Sequence, residues 1–369
     1  MSDSNLVVEV VQGDVLNFAA DVLALKYAQH YYGSDRAVSE FLLKRGVAAD
    51  EIKPAPGKYA LLDSSHFLPC PRVLFVGVPP LVEFGYVEIE RWAHRAIAIV
   101  AEHYSGAVHV AITLHGPGFG LDEIEALHAQ IRGILSAARA AAGAGRSIRV
   151  SIVELTAARL ERLQTALSEI IAGAGSGSEG PGEPAPAATA PDEFNVALQE
   201  SIIVRRPLRL KLRRPQRDSA DPGEAEFPAL AILQSAAQVE DKPRAAVAMP
   251  FSKHMEDVFY FGIQDPVRQL GYVCERVDRE AFTGDILAQV KMRIENAEIV
   301  IADLTGANAN VYLEVGYAWG RGRPTVLVAN KEEELKFDVQ GQRCLKYENI
   351  KELQDLLTTE LKGLGNRKP

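Results

Sequence analysis

Cysteine is scarce in this chain of 369 residues. Cys70, Cys274 and Cys344 lie far apart and are odd in number, which leaves no disulfide framework and no C-x-x-C metal site. That usage fits a reducing, cytoplasmic setting. Basic charge is also in short supply. There are 40 Lys and Arg against 49 Asp and Glu, a formal net charge of −9. Such a balance argues against direct nucleic-acid binding held by bulk charge. Long apolar runs are missing too: no window has the ~18 uninterrupted apolar residues of a membrane span. The opening "MSDSNLVVEVVQGDV" lacks a basic n-region and an apolar h-region, so it does not resemble a signal peptide. His103, His109 and His128 show no H-E-x-x-H or similar spacing, and no metal is expected.

What is present suits a globular protein. The hydrophobic fraction of 47% supplies two cores, and the length suggests two domains. The clearest boundary is "AGAGSGSEGPGEPAPAATAP", residues 172–191. Gly, Ser, Pro and Ala dominate it with nothing to bury, as in a flexible linker that lets its neighbours move. The chain then divides into residues 1–171, the linker 172–191, a bridging segment 192–242 and a C-terminal domain 243–369. In the bridging segment, "NVALQESIIV" and "LRLKLRR" alternate in polarity, which suggests a strand or hairpin docked on a neighbour.

The C-terminal domain alternates between two periods. "AAVAMPF", "YVCERVD", "EIVIADL" and "PTVLVAN" read as buried strands. "HMEDVFYFGIQDPVRQLG", "DILAQVKMRIENA", "VYLEVGYAWGRG" and "NIKELQDLLTTELKGL" have helical spacing. Strands alternating with helices imply a parallel, doubly wound sheet with right-handed connections. The N-terminal domain is mixed. "LVVEVVQGDV", "DVLALKYA", "RVLFVGVP", "AVHVAITLHG" and "SIRVSIVEL" look like strands, and three long helices separate or follow them. The fold class is therefore α/β in two domains, each a mixed or parallel sheet flanked by helices.

In open parallel sheets, ligands bind beyond the carboxyl ends of the strands. The first C-terminal strand ends in Met249, Pro250 and Phe251. The second ends near Arg276 and Asp278, and the third ends in Asp303, followed by Thr305, Gly306, Asn308 and Asn310. Glu314 follows Asn310 by one helical turn and Tyr317 lies three further on. A carboxylate at that place suits glycosyl transfer. The anomeric carbon gains oxocarbenium character as the base leaves, and a carboxylate stabilises or attacks it. Asp303 would then hold ribose hydroxyls or position Glu314. The same residues also fit plainer roles, with Asn308 or Asn310 as a helix cap and Glu314 complementing the helix dipole.

"AMPF", Asp278 and "IADLTGANANVYLEVGYAWGRGRPTVLV" together resemble the nucleoside 2-deoxyribosyltransferase family and the related TIR-like NAD-cleaving domains. Those families carry an acid ending a strand, a short polar loop, an E-x-G-x-A helix and a basic residue with Pro opening the next strand. Asp303, Glu314, Gly316, Ala318, Arg323 and Pro324 match, and the resemblance covers residues 244–350. It implies a flavodoxin-like domain with Glu314 and Asp303 as catalytic residues and no cofactor. Met249, Pro250, Phe251, Asp278, Asn308, Asn310 and Tyr317 would bind substrate. Phe337 and Asp338, in "KFDVQG", would close the site from a late loop. "TGANAN" stands where the transferases often have an Asp-Ser-Gly-Thr type loop, which leaves the substrate open.

Two N-terminal stretches are similar to a macro domain, the fold that binds ADP-ribose and related nucleotides. "VQGDV" matches its opening, so Asp14 would contact adenine. "HGPGFG" sits at its phosphate loop, so His115, Gly116, Gly118, Phe119 and Gly120 would line the ligand. "ALKYAQHYYGSD" replaces the family's Asn-rich segment, so the resemblance implies a nucleotide-binding or sensing domain, or a purely structural relative, rather than a hydrolase. Jointly, the two resemblances imply a nucleotide N-glycosidase, with NAD+ the preferred small-molecule substrate. They also imply a homo-oligomer, and a bacterial antiviral effector governed by a nucleotide signal. Two alternatives stand beside this: a transferase or nucleotide hydrolase of salvage metabolism, and a non-catalytic nucleotide-binding regulator.

Overall fold

The computed structural model describes residues 5–141, 147–173, 209–212, 241–277 and 286–365. Asp278, residues 174–191 of the linker and "NVALQESIIV" lie outside the described residues, and the first two linker residues close the last N-terminal helix. The chain is α/β, built on two sheets.

The first sheet contains β1 (Asn5–Gln12), β2 (Val22–Tyr27), β3 (Tyr59–Asp63), β4 (Arg72–Gly77), β5 (Ala107–Ile112), β6 (Ser147–Glu154) and β7 (Arg209–Leu212). Their order is β3-β4-β2-β5-β6-β1-β7. The inner pairs are parallel, while β3 and β7 run antiparallel at the two edges. Every residue of β2 is buried, because helices cover both faces of the sheet; the strand is apolar but for Lys26, which pairs with the buried Asp35. β7 lies in "LRLKLRR" and pairs with β1, so that run does dock on a neighbouring strand.

Four helices flank this sheet: α1 (Gly33–Leu43), α2 (Tyr86–His103), α3 (Glu123–Ala140) and α4 (Ala157–Gly173). α2 buries Ile89, Trp92, Ala93, Ala96, Ile97 and Val100, the three-and-four spacing of a helix face. Asp122 caps α3, accepting from the backbone N–H of Ile124 at 2.9 Å and of Glu125 at 3.3 Å. The sequence patterns missed α1 and β3.

The second sheet contains β8 (Arg244–Ala248), β9 (Val273–Arg276), β10 (Ile299–Asp303), β11 (Thr325–Asn330) and β12 (Cys344–Tyr347). It is wholly parallel in the order β12-β11-β10-β8-β9. The order reverses between β8 and β10, which sets the crevice there, beyond their carboxyl ends. A π-helical turn (Val258–Gln264) runs into α5 (Asp265–Gln269). α6 (Ile286–Asn296), α7 (Ala309–Gly320), α8 (Phe337–Gln340) and α9 (Ile350–Gly365) complete the domain. The strand pattern missed β12. Among the described residues, no helix is long and apolar enough to cross a membrane.

A buried polar seam joins the two sheets along β9, an edge strand. The N–H groups of Val273 and Val277 turn toward β8, donating to the carbonyls of Pro243 and Val247. Those of Cys274 and Arg276 turn outward, and the N-terminal domain receives both. Cys274 N–H donates to Asp122 Oδ2 at 3.3 Å, and Arg276 N–H to the Gly120 carbonyl at 2.9 Å. The Tyr86 hydroxyl accepts from Asp122 N–H at 2.9 Å and donates to Glu275 Oε1 at 3.1 Å. Arg244 pairs with Glu275 at 2.6 Å, and Arg162 pairs with Glu123 while lying 3.4 Å over the Tyr260 ring. Free movement of the domains, expected from the linker, is opposed by this seam, because opening it strips partners from buried polar groups.

Candidate functional site

The crevice of the second sheet starts at β10. Its last residue, Asp303, is 0% exposed. One carboxylate oxygen accepts from Thr305 N–H at 2.9 Å and the other from the Tyr347 hydroxyl at 2.8 Å. Burial raises the Asp303 pKa against the pull of these bonds. Tyr347 stands at the end of β12, and burial, then the Asp303 charge, pushes its hydroxyl well above the ordinary tyrosine range. Thr305 Oγ1 lies 3.3 Å from that hydroxyl and accepts from Asn330 N–H at 2.9 Å. Three strand ends are thus tied at one point. One Asp303 oxygen thus holds the loop after β10 and the other holds the end of β12.

That loop turns sharply into α7. Gly306 has φ +78°, a left-handed conformation that glycine adopts without a Cβ penalty. Gly306 N–H donates to Glu333 at 2.7 Å. Asn308 is the N-cap of α7, its side chain accepting from Asn310 N–H at 2.9 Å. Asn310 itself is exposed. Glu314 is only 6% exposed. It is the single charged residue of α7, and it lies among the buried Val311, Val315 and Ala318 rather than on the solvent face. Burying a carboxylate is costly, and a helix that needed only dipole compensation would leave it in water. Tyr317 turns the other way, its hydroxyl donating to Glu295 of α6.

β8 lies beside β10 in the sheet. Met249 is fully buried, and the Phe251 ring is 56% exposed. Arg276, at the end of β9, is 1% exposed. Its guanidinium donates to the Pro250 carbonyl at 3.1 Å and lies 5.5 Å from the Phe251 ring centre and 5.4 Å from that of Phe259. Phe337 is 86% exposed on α8 and Asp338 is exposed beside it, so that segment is a one-turn helix rather than a loop.

In the N-terminal domain, Asp14 caps its own turn, accepting from Leu16 N–H at 3.0 Å and from the Asn17 amide at 2.9 Å. His115 is buried edge-on to Trp92, with ring centres 4.1 Å apart. Burial, then the Lys26 charge, holds its pKa well below the usual histidine range, so the ring is neutral. Its Nε2 has no hydrogen-bond partner among the described residues. Gly116 has φ +105°, and Gly118 is exposed. The Phe119 ring lies 5.5 Å from that of Tyr32 and 5.4 Å from Lys26 Nζ, which pairs with the buried Asp35. Phe119 and Gly120 turn their carbonyls to the C-terminal domain, toward Arg293 and Arg276. That half of the expected phosphate loop is taken up by the seam.

No protein-family model and no curated protein matches this chain. Among solved structures, it is similar to the CMP N-glycosidase of Clostridium botulinum, at 16% identity over 32% of this chain and 98% of that one, with a TM-score of 0.28. It is also similar to a 2-deoxyribosyltransferase from Bacillus psychrosaccharolyticus, at 15% identity over 30% of this chain and 90% of that one (TM-score 0.26). A macrodomain from Oceanobacillus iheyensis is similar at 14% identity over 45% of this chain and 93% of that one, with a TM-score of 0.33. Structures of both suspected kinds are therefore among its likenesses.

Asp303, Asn308 and Glu314 belong to the β10–loop–α7 unit, and Met249, Pro250 and Phe251 follow β8, the strand paired with β10. Sequence reasoning passed over Tyr347 and gave Arg276 no role. The signal for Tyr347 was the short alternating "CLKY" before the last helix, an edge strand ending in a polar aromatic. The signal for Arg276 was an arginine closing a strand whose other residues are buried. Among the described residues, no cluster of His, Cys, Asp and Glu could hold a metal ion.

Proposed function

We propose that the C-terminal domain cleaves the N-glycosidic bond of a nucleotide, with Glu314 as its catalytic carboxylate and NAD+ as its preferred substrate. The observation that carries this is the burial of Glu314, 6% exposed in a helix that follows the strand-ending Asp303. A carboxylate withdrawn from water acts more strongly on a developing cation than one in bulk solvent. The base departs with the bonding electron pair, and the anomeric carbon becomes oxocarbenium-like. Glu314 stabilises that carbon, or bonds to it until water or another acceptor takes its place. Asp303, through Tyr347 and Thr305, keeps the preceding loop in register. The N-terminal domain senses a nucleotide signal, and the assembled homo-oligomer serves as an antiviral effector.

The test is base release. Purified protein is incubated with NAD+, and separately with deoxynucleosides and deoxynucleotides, with and without candidate ADP-ribose-type signals. The native chain releases base, and Glu314→Gln slows release by roughly 10³-fold or more while the chain stays folded. Release from deoxynucleosides alone would move the substrate to salvage chemistry. Release from none of them would overturn the reading.

A further inference from the structure

The outer edge of β9 faces the N-terminal loop of residues 116–122, and the end of β9 carries Arg276. We propose that this loop is a positioning element of the C-terminal crevice: Gly120 and Arg293 fix the end of β9, and Arg276 thereby fixes Pro250 and Phe251.

Three contacts form the chain of transmission. Arg276 N–H donates to the Gly120 carbonyl at 2.9 Å. Arg293 of α6 donates from Nη1 to the Arg276 carbonyl at 2.6 Å and from Nη2 to the Phe119 carbonyl. One guanidinium therefore clamps a carbonyl from each domain, using the fixed fork that makes arginine a two-point donor. From the same residue, the Arg276 side chain runs to the Pro250 carbonyl at 3.1 Å and flanks the exposed Phe251 ring. The main chain of Arg276 answers to the N-terminal domain, and its side chain answers to the crevice wall.

Gly120 shows how tight this junction is. It has φ +82°, and a Cβ there would collide with the Arg276 carbonyl oxygen and the Arg293 guanidinium. Only glycine lets the two backbones approach this closely. Gly118, two residues earlier, has nothing within 4 Å of its Cβ position. The glycines of "HGPGFG" thus differ in use, and Gly120 serves the seam.

The decisive variant is Gly120→Ala in the full chain. Gly57→Ala is its control, because Gly57 has φ +76° and open space around its Cβ position, so it carries the backbone strain without the collision. Hydrogen–deuterium exchange is followed in peptides covering residues 245–252 and 272–277. The positioning role predicts exchange about tenfold faster or more in both peptides for Gly120→Ala, and native rates for Gly57→Ala. Unchanged exchange in the 245–252 peptide of Gly120→Ala would overturn the proposal. Arg293→Lys keeps the charge but loses the two-point clamp. It gives the same signature more weakly, and it decides the matter if Gly120→Ala does not fold.

A kinetic arm rests on the N-glycosidic reading above. KM rises about tenfold or more in Gly120→Ala while kcat stays within about threefold, whereas a partly unfolded sample lowers kcat and leaves KM alone. If the native chain releases no base, that reading falls and the exchange measurement still decides this one.

Discussion

At the residue scale, the crevice depends on a few hydrogen bonds among buried groups. The Tyr347 hydroxyl donates to Asp303 at 2.8 Å and stands beside Thr305. Tyr347→Phe removes that donor and leaves a buried carboxylate oxygen short of a bond. We expect a loss of about 1–3 kcal/mol in stability, measured by urea denaturation. The bond also favours the ionised carboxylate, so the same change moves the Asp303 titration further upward. Glu314 was legible in the sequence because it sits in a local motif, within a few residues of the loop that orients it. Tyr347 was not, because its partner is 44 residues away in the chain and only the fold makes them neighbours. Arg276 shared that fate: nothing in "YVCERVD" reveals that its side chain bends back to Pro250.

Among the elements, α3 carries the most testable charge. Its N-cap Asp122 is fully buried, and burial raises its pKa from 3.8 to about 6, although Arg268 pulls the other way. The folded chain therefore binds this proton more tightly than the unfolded one. The stability that the protonated form confers is complete below pH 3.8 and is lost as pH rises through about 6. Asp122→Asn keeps a capping oxygen and cannot ionise. Its stability relative to the native chain should climb between pH 4 and pH 7, by roughly 2–3 kcal/mol, in denaturation curves taken across that range. Loss of the acceptor for Cys274 N–H sets a constant offset and leaves this slope alone. Elements with nearly continuous apolar runs, such as β2 and β10, were legible because a strand covered on both faces is mostly apolar, Lys26 and Asp303 being their charged exceptions. β3 and β12 were not. They are edge strands of five and four residues, half-buried in part, too short for either period to assert itself.

For the whole molecule, composition pointed to two domains and a linker, and the chain is built on two α/β sheets. The seam between them was beyond reach of composition. It is made of single residues from distant segments: Tyr86, Gly120 and Asp122 against Cys274, Glu275, Arg276 and Arg293. Such a junction couples the two units energetically, whereas a bare linker would not. Calorimetry should therefore give one transition for the native chain and two for Gly120→Ala, in which the junction is forced apart. A last consequence concerns β9 as an edge. With the N-terminal domain in place, its two outward N–H groups are occupied. A fragment starting at residue 241 would leave them open on an uncovered strand, the template on which sheets of separate molecules add to one another. In light scattering, that fragment should form growing assemblies at concentrations where the full chain scatters steadily, which makes the N-terminal domain its guard against aggregation.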